Sequence, residues 1–192
     1  MDIVGASLVL VVMAPTLIVV AAIVRCGSRG PIFFRQRRYG LAGHPFLVWK
    51  FRTIKTEEAP EQHQSYVIDL MSSDRPIEKR DRGLALIPCG RILRKLGLDE
   101  FPQLINVLKG EMSLVGPRPD VVPPEKYQPW QRDRFNVLPG ITGLWQVSGR
   151  SELSFDEMID LDLRYIETWS ISSDLVILAR TVGAVFGFKG AY

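Results

Sequence analysis

The stretch IVGASLVLVVMAPTLIVVAAIV, Ile3–Val24, runs 22 residues without a charged side chain. As a helix rising ~1.5 Å per residue it would reach about 33 Å, against a hydrocarbon core of ~30 Å. It therefore reads as a membrane helix. A secretory signal peptide would need a basic start and a small-residue cleavage site, and neither is present. Pro15 divides the run. It removes one backbone donor and disfavours helical geometry at Ala14, so the helix is expected to be broken at Pro15. Two arrangements satisfy this reading: a kinked single span, or a re-entrant segment that enters and leaves through one face.

The charges beside this run support a membrane surface. Arg25, Arg29, Arg35, Arg37, Arg38, Lys50, Arg52 and Lys55 fall within residues 25–55, and no acid does. The chain carries 24 Lys+Arg against 21 Asp+Glu, so the part beyond residue 55 is net negative. Basic character confined to the flank of an apolar helix suits anionic lipid, places that flank on the cytoplasmic side, and weighs against nucleic acid. Two cysteines and two histidines supply neither a disulfide scaffold nor a Cys/His zinc cluster. A length of 192 residues fits one domain. The organisation expected is a membrane segment over 1–25 and a cytoplasmic catalytic part over 26–192.

The fold class expected is α+β, mostly helical with a few short strands. Ile32–Phe34 and Pro45–Phe51 read as strands around a turn at Gly40–Gly43. Residues 56–83 read as a loop or lid with a short helix near Ser65–Met71. Helices are expected at Arg91–Lys95, from Asp99 to Lys109 with Gly110 ending it, and near Glu125–Phe135. Leu138–Gly149 reads as a glycine-punctuated loop. Ser154 and Glu157 form a capping box opening a helix to about Thr168, and Ser173 or Asp174 would cap a last helix through Phe186.

Asp99 and Glu100 are adjacent carboxylates at a helix start. Their plain reading is capping, worth ~0.3–1 kcal/mol each. Their chemical reading is a nucleophile or a ligand for a hard cation such as Mg²⁺ beside phosphate. Arg91, Arg94 and Lys95 lie just upstream, and Pro117-Arg118-Pro119 holds an arginine on stiff extended backbone suited to phosphate. Lys50 and Arg52 are either a solvated strand edge or cations at the headgroups. The loop Leu144–Arg150 offers Trp145, Gln146 and Arg150, which could stack a nucleobase or simply plug the core with Trp145. No P-loop and no GxGxxG occurs.

Four ordered blocks now carry a resemblance: GPIFFRQRRYGLAGHPFLVWKFRT (Gly30–Thr53), GRILRKLGLDEFPQLINVLKGEMSLVGPRP (Gly90–Pro119), LPGITGLWQVSGR (Leu138–Arg150) and the terminal GAY. The chain resembles the bacterial sugar transferases of the monotopic phosphoglycosyl transferase superfamily, which prime exopolysaccharide, capsule and O-antigen synthesis. Its closing stretch is most similar to the undecaprenyl-phosphate glucose or galactose phosphotransferases. Larger members carry extra transmembrane helices, and the resemblance here begins at the catalytic unit.

The resemblance implies Asp99 as nucleophile, Glu100 as its partner and Mg²⁺ at the pair. It places Arg94, Lys50, Arg118 and Arg150 on phosphate-facing positions, with Arg52 and Gln146 as further substrate-binding candidates. It implies a UDP-sugar donor, a polyprenyl (undecaprenyl) phosphate acceptor, an aspartyl-phosphosugar intermediate and release of UMP. It also implies a re-entrant helix in the inner leaflet of the bacterial plasma membrane. Ala14 and Gly97 stand where many members have a hydroxyl residue, and Asp81–Cys89 departs from the usual spacing. A different class of reading is a non-catalytic, anionic-lipid-binding membrane adaptor built on the same basic belt. Such an adaptor would not need Asp99.

Overall fold

The computed structural model describes residues 1–55, 60–73, 75–76, 85–149 and 152–185. Its first element, helix α1, spans Asp2–Gly27 with Pro15 inside it. The expected break does not interrupt the helix. Proline forfeits only its own donor, and in apolar surroundings the remaining backbone groups have no partner as good as the helix itself. Helix α1 is long and apolar enough to cross a membrane, and only 11% of its apolar window is buried inside the protein. Its outward face is bare hydrocarbon, with Val4 75% and Val11 73% exposed.

The inward stripe of α1 touches the rest of the protein at both ends. Ala6 packs with Leu104, Val107, Met112 and Leu114, and Leu10 lies alongside. Val20 and Val24 pack with Phe51, Ile87 and Leu93. Burying an aliphatic side chain stabilises by about 1.5–3 kcal/mol, so each end is a substantial attachment. At the very start, Asp2 Oδ1 accepts a hydrogen bond from Leu114 N at 3.3 Å. Gly5 permits the approach, since a Cβ there would lie 2.8 Å from Leu114 Cδ1.

Strands β1 (Phe33–Tyr39) and β2 (Pro45–Phe51) form an antiparallel hairpin with Phe33 opposite Phe51 and Tyr39 opposite Pro45. The sequence reading found the second strand at its observed bounds, but began the first one residue early and ended it at Phe34, five residues short. Two-residue alternation puts Phe34, Gln36 and Arg38 on one face with their partners Lys50, Val48 and Phe46. The backbone edge of β2 is closed by Asn106: its Oδ1 accepts from Trp49 N at 3.1 Å and its Nδ2 donates to Leu47 O at 2.7 Å.

Helix α2 spans Pro60–Met71, longer than the short helix expected there. Helix α3 is Gly90–Lys95, close to expectation. The helix expected from Asp99 to Lys109 is instead a 3₁₀ turn, Leu98–Gln103, followed by the short α4, Leu104–Leu108. Pro102 lies inside the turn and disfavours α-helical geometry at Phe101 before it. Gly110, at φ +74°, ends α4 as expected.

The helix expected near Glu125–Phe135 is two 3₁₀ pieces, Pro124–Lys126 and Pro129–Asn136, with extended backbone at Tyr127 and Gln128 between them. The supposed loop Leu138–Gly149 contains strand β4 (Gly140–Thr142), which pairs in parallel with β3 (Ser113–Val115). These strands escape a pattern search because they are three residues long, and β4 also opens on a glycine. A Cβ at Gly140 would sit 2.1 Å from Gly116 N, so the close crossing of the two chains requires glycine.

Helix α5 (Phe155–Glu167) opens on the expected capping box, with Ser154 Oγ accepting from Glu157 N at 3.3 Å. Helix α6 spans Ile171–Val185. Its cap is Ser170, whose Oγ accepts from Ser173 N at 3.1 Å, and neither Ser173 nor Asp174 takes that role. Asp174 is buried and accepts from Tyr165 Oη at 2.8 Å. Phe186 and the terminal GAY lie outside the described residues.

Candidate active site

The triplet Leu98-Asp99-Glu100 begins the 3₁₀ turn that lies against β2. Gly97 launches it at φ +64°, in the left-handed region where a side chain would be strained. The glycine that departs from the hydroxyl residue of many relatives thus suits the backbone it occupies. Glu100 is clamped from two sides. Lys50 Nζ donates to its Oε1 at 2.8 Å. Arg118 donates through Nη2 to Oε1 at 2.5 Å and through Nη1 to Oε2 at 3.2 Å, a two-pronged grip.

This clamp drives the two carboxylates apart electrostatically. Burial alone would raise Glu100, but Arg118 and Lys50 hold it well below the usual carboxylate range. Burial pushes Asp99 up to about 6, the charge of Glu100 adds to the rise, and Lys50 and Arg94 oppose it. Burial also lowers Lys50 from its ordinary value, with Glu100 pulling the other way. Neighbouring acids separated in this manner mark a site where one is a fixed charge and the other is poised to react.

The Arg118 arm is itself held down. Its carbonyl accepts from Arg134 Nη2 at 2.8 Å, and the carbonyl of Pro119 accepts from Arg38 Nη1 at 3.0 Å. The carbonyl of Asp120 accepts from Tyr39 N at 2.9 Å. The Asp120 carboxylate accepts from Tyr127 Oη at 3.0 Å. Arg134 in turn donates to Asp162 Oδ2 at 2.8 Å and to Tyr127 Oη at 3.2 Å, entirely within the core. The proline-flanked segment is thus stiff by its own rings and pinned along successive carbonyls.

Of the residues singled out in the sequence, Lys50, Glu100 and Arg118 meet directly, and Arg94 acts electrostatically on Asp99. Arg52 is engaged elsewhere. It donates to Ser28 O at 3.0 Å, Ser28 Oγ at 2.8 Å and Arg29 O at 2.8 Å, closing the exit of α1. Gln146 sits in the 3₁₀ turn Trp145–Val147, with Oε1 3.6 Å from where a Cβ on Gly143 would lie. Arg150 lies outside the described residues.

Sequence reasoning treated Arg38 only as one of a basic belt, and it did not single out Asp120 or Arg134. Arg38 reaches the site because it shares the inward face of the hairpin with Lys50, and burial lowers it to about 10. That alternation was the available signal. Arg134 had none, since its partners lie 16 and 28 positions away.

A cation such as Mg²⁺ is usually held by one or two carboxylates together with substrate phosphates. Among the described residues no group of three or more acidic, histidine or cysteine side chains gathers. The adjacent acids nonetheless fit that sparse mode. Glu100 Oε1 accepts twice and Oε2 once, which leaves an acceptor site on Oε2, and Asp99 carries the repulsion of its neighbour.

A carboxylate pair clamped by partly exposed cations, beside an apolar helix, is an arrangement suited to an enzyme that handles phosphate at a membrane. The bacterial sugar transferase family model matches residues 1–188. The exopolysaccharide production protein ExoY of Rhizobium meliloti is 37% identical, with all of this chain aligned to 86% of that protein. The UDP-glucose:undecaprenyl-phosphate glucose-1-phosphate transferase of Escherichia coli is 40% identical over all of this chain but only 40% of its own length. The uncharacterized sugar transferase EpsL of Bacillus subtilis is 40% identical, across 98% of this chain and 87% of that protein. The chain belongs to the bacterial sugar transferase family, and it is a transferase.

Proposed function

We propose that the protein moves a sugar 1-phosphate from a UDP-sugar to polyprenyl (undecaprenyl) phosphate, the first membrane step in building an exopolysaccharide, capsule or O-antigen. The carrying observation is Glu100 clamped by Lys50 and Arg118 beside an Asp99 raised to about 6. Relatives named for glucose-1-phosphate transfer onto undecaprenyl phosphate support the substrate pair.

Asp99 is ionised at neutral pH and needs no base to attack. Its carboxylate oxygen bonds to the sugar-bearing phosphorus, and the phosphoanhydride bond to UMP breaks, with UMP leaving as its anion. A phosphate oxygen of the polyprenyl acceptor then attacks the same phosphorus and expels the Asp99 carboxylate. Arg118, Arg38 and Lys50 supply positive charge where negative charge builds on phosphoryl oxygens. Mg²⁺, held by Asp99 and Glu100 with substrate phosphates, would add further neutralisation of that charge.

The acceptor's tail stays in the bilayer, so the site must lie at its surface. The attachment of α1 by both Ala6 and Val24 to one body supports a helix held in the inner leaflet against the catalytic part, with that part cytoplasmic. Tags at both termini would then be cytoplasmic, and a periplasmic N-terminus would refute this topology without touching the chemistry. The reaction is tested by offering UDP-sugars and undecaprenyl phosphate to the purified protein and measuring UMP. Acceptor-free release of one UMP per protein, with sugar label retained on the Asp99 peptide, is the expected result. No release from any UDP-sugar would overturn the proposal.

A further inference from the structure

Beyond the carboxylate clamp, Arg38 and Arg118 also line a cleft of ≈ 180 Å³ between α2 and α5. Its far wall is apolar and aromatic: Val67, Trp145, Phe155 and Met158. Phe155 and Met158 are core residues, so the wall is rigid rather than a surface crease. The indole N–H of Trp145 is buried and meets no hydrogen-bond acceptor among the described residues. A buried donor left unmatched carries a real cost, which a ligand carbonyl would remove.

We infer that this cleft holds the uracil of the donor nucleotide, its flat face against the aromatic wall and one of its carbonyls accepting from Trp145 Nε1. The inference rests on the proposed UDP-sugar reading and assigns where within the site each half of the donor lies. Asp99 must face the phosphorus bearing the sugar, and Arg118, which feels the charge of Asp99, lines the cleft together with Arg38. They therefore meet the phosphate that departs, and what departs with it extends into the cleft. A hexose suits the cavity poorly. It presents several hydroxyls that each need a partner, whereas Asp120, the acid on this wall, already accepts from Tyr127 Oη and from Val121 N at 2.6 Å. A planar base with two carbonyls and no hydroxyl matches the apolar part of the lining, Val67, Trp145, Phe155 and Met158, and the unmatched Trp145 N–H within it.

The experiment compares equilibrium binding of UMP and of ribose 5-phosphate, which lacks the base, to the full chain in detergent. The proteins are the wild type, Trp145→Phe and Val67→Phe, with folding checked by circular dichroism. Trp145→Phe should weaken UMP about tenfold and leave ribose 5-phosphate unchanged, because the ring persists and only the donor is lost. Val67→Phe, which narrows the cleft, should weaken UMP at least as much, again sparing ribose 5-phosphate. Unchanged UMP binding in both variants would overturn the assignment, as would equal losses for the two ligands. So would a loss confined to a sugar 1-phosphate probe, which would give the cleft to the sugar. UMP release from UDP-sugars in the same preparations keeps the two questions apart. Transfer with unaltered UMP binding sinks the cleft alone, whereas base-dependent binding without transfer in the wild type sinks the reaction alone.

Discussion

Two arginine–carboxylate pairs flank the same stretch of backbone, and they behave differently. Arg134 and Asp162 have side chains 3% and 1% exposed, while Arg118 and Glu100 keep 29% and 24%. The inner pair is joined to Tyr127 and to the Arg118 carbonyl, so it serves as a peg. The outer pair shares its acid with Lys50, leaves an acceptor site open, and has its arginine lining a cleft. The same two functional groups give structure when every bond is closed within the core, and a reactive site when one is left for a ligand.

Removing the nucleophile gives the largest effect. Asp99→Asn should lower transfer by about 10⁴-fold or more, measured as UMP release, while the protein stays folded. A near-normal rate would break the distinction between the pairs at its reactive end. Next comes the peg. Arg134→Met leaves Asp162 buried without a partner and should cost about 3–5 kcal/mol in chemical denaturation. The double variant Arg134→Met with Asp162→Leu should regain part of that stability, since the fully buried carboxylate is gone and Asp120 keeps its bonds from Tyr127 and Val121. A loss under 1 kcal/mol for the single variant, on the scale typical of exposed pairs, would make the inner pair no different from a surface one.

The pH dependence sharpens the contrast further. In chelator, the folded-state value of Asp99 is about 6 against an ordinary 3.8. The fold thus favours its neutral form, and the stability from this group is complete below 3.8 and lost as pH rises through about 6. Glu100 works oppositely, because its value is depressed: its contribution is present above 4.5 and lost as pH falls through its lower folded value. Asp99→Asn should therefore be more stable than the wild type at pH 7, on the order of 1–2 kcal/mol, with the difference vanishing near pH 4. Equal stability at both pH values would remove the electrostatic strain. The smallest effect is expected at Gly97→Ala, which places a Cβ at φ +64° and should cost about 1 kcal/mol in unfolding.

How much of this was legible in the chain depended on range. The apolar run, the second hairpin strand and the Ser154 capping box are local patterns, and all three appear where the sequence placed them. Family likeness pointed at Asp99, Glu100, Lys50 and Arg118, and the last three do meet. The misses are long-range or proline-driven. Pro15 reads as a break on local propensity, yet α1 continues through it. Strands β3 and β4 pair across residues far apart in sequence, and three-residue strands leave no period to detect.

The double attachment of α1 sets an order of events during synthesis. The helix is made first, but the partners of its inner stripe, Leu93, Leu104 and Leu114 among them, are made tens of residues later. At ~5–20 residues per second the ribosome needs on the order of 5–20 s to supply them. Over that interval both faces of α1 are uncovered, and lipid is the one solvent that suits them. A nascent helix so exposed is suited to lipid on all sides until its inner stripe gains the Ala6 and Val24 contacts. Deleting α1 to obtain a water-soluble enzyme would leave that seam open, with Phe51, Ile87, Leu93 and Leu114 turned toward water.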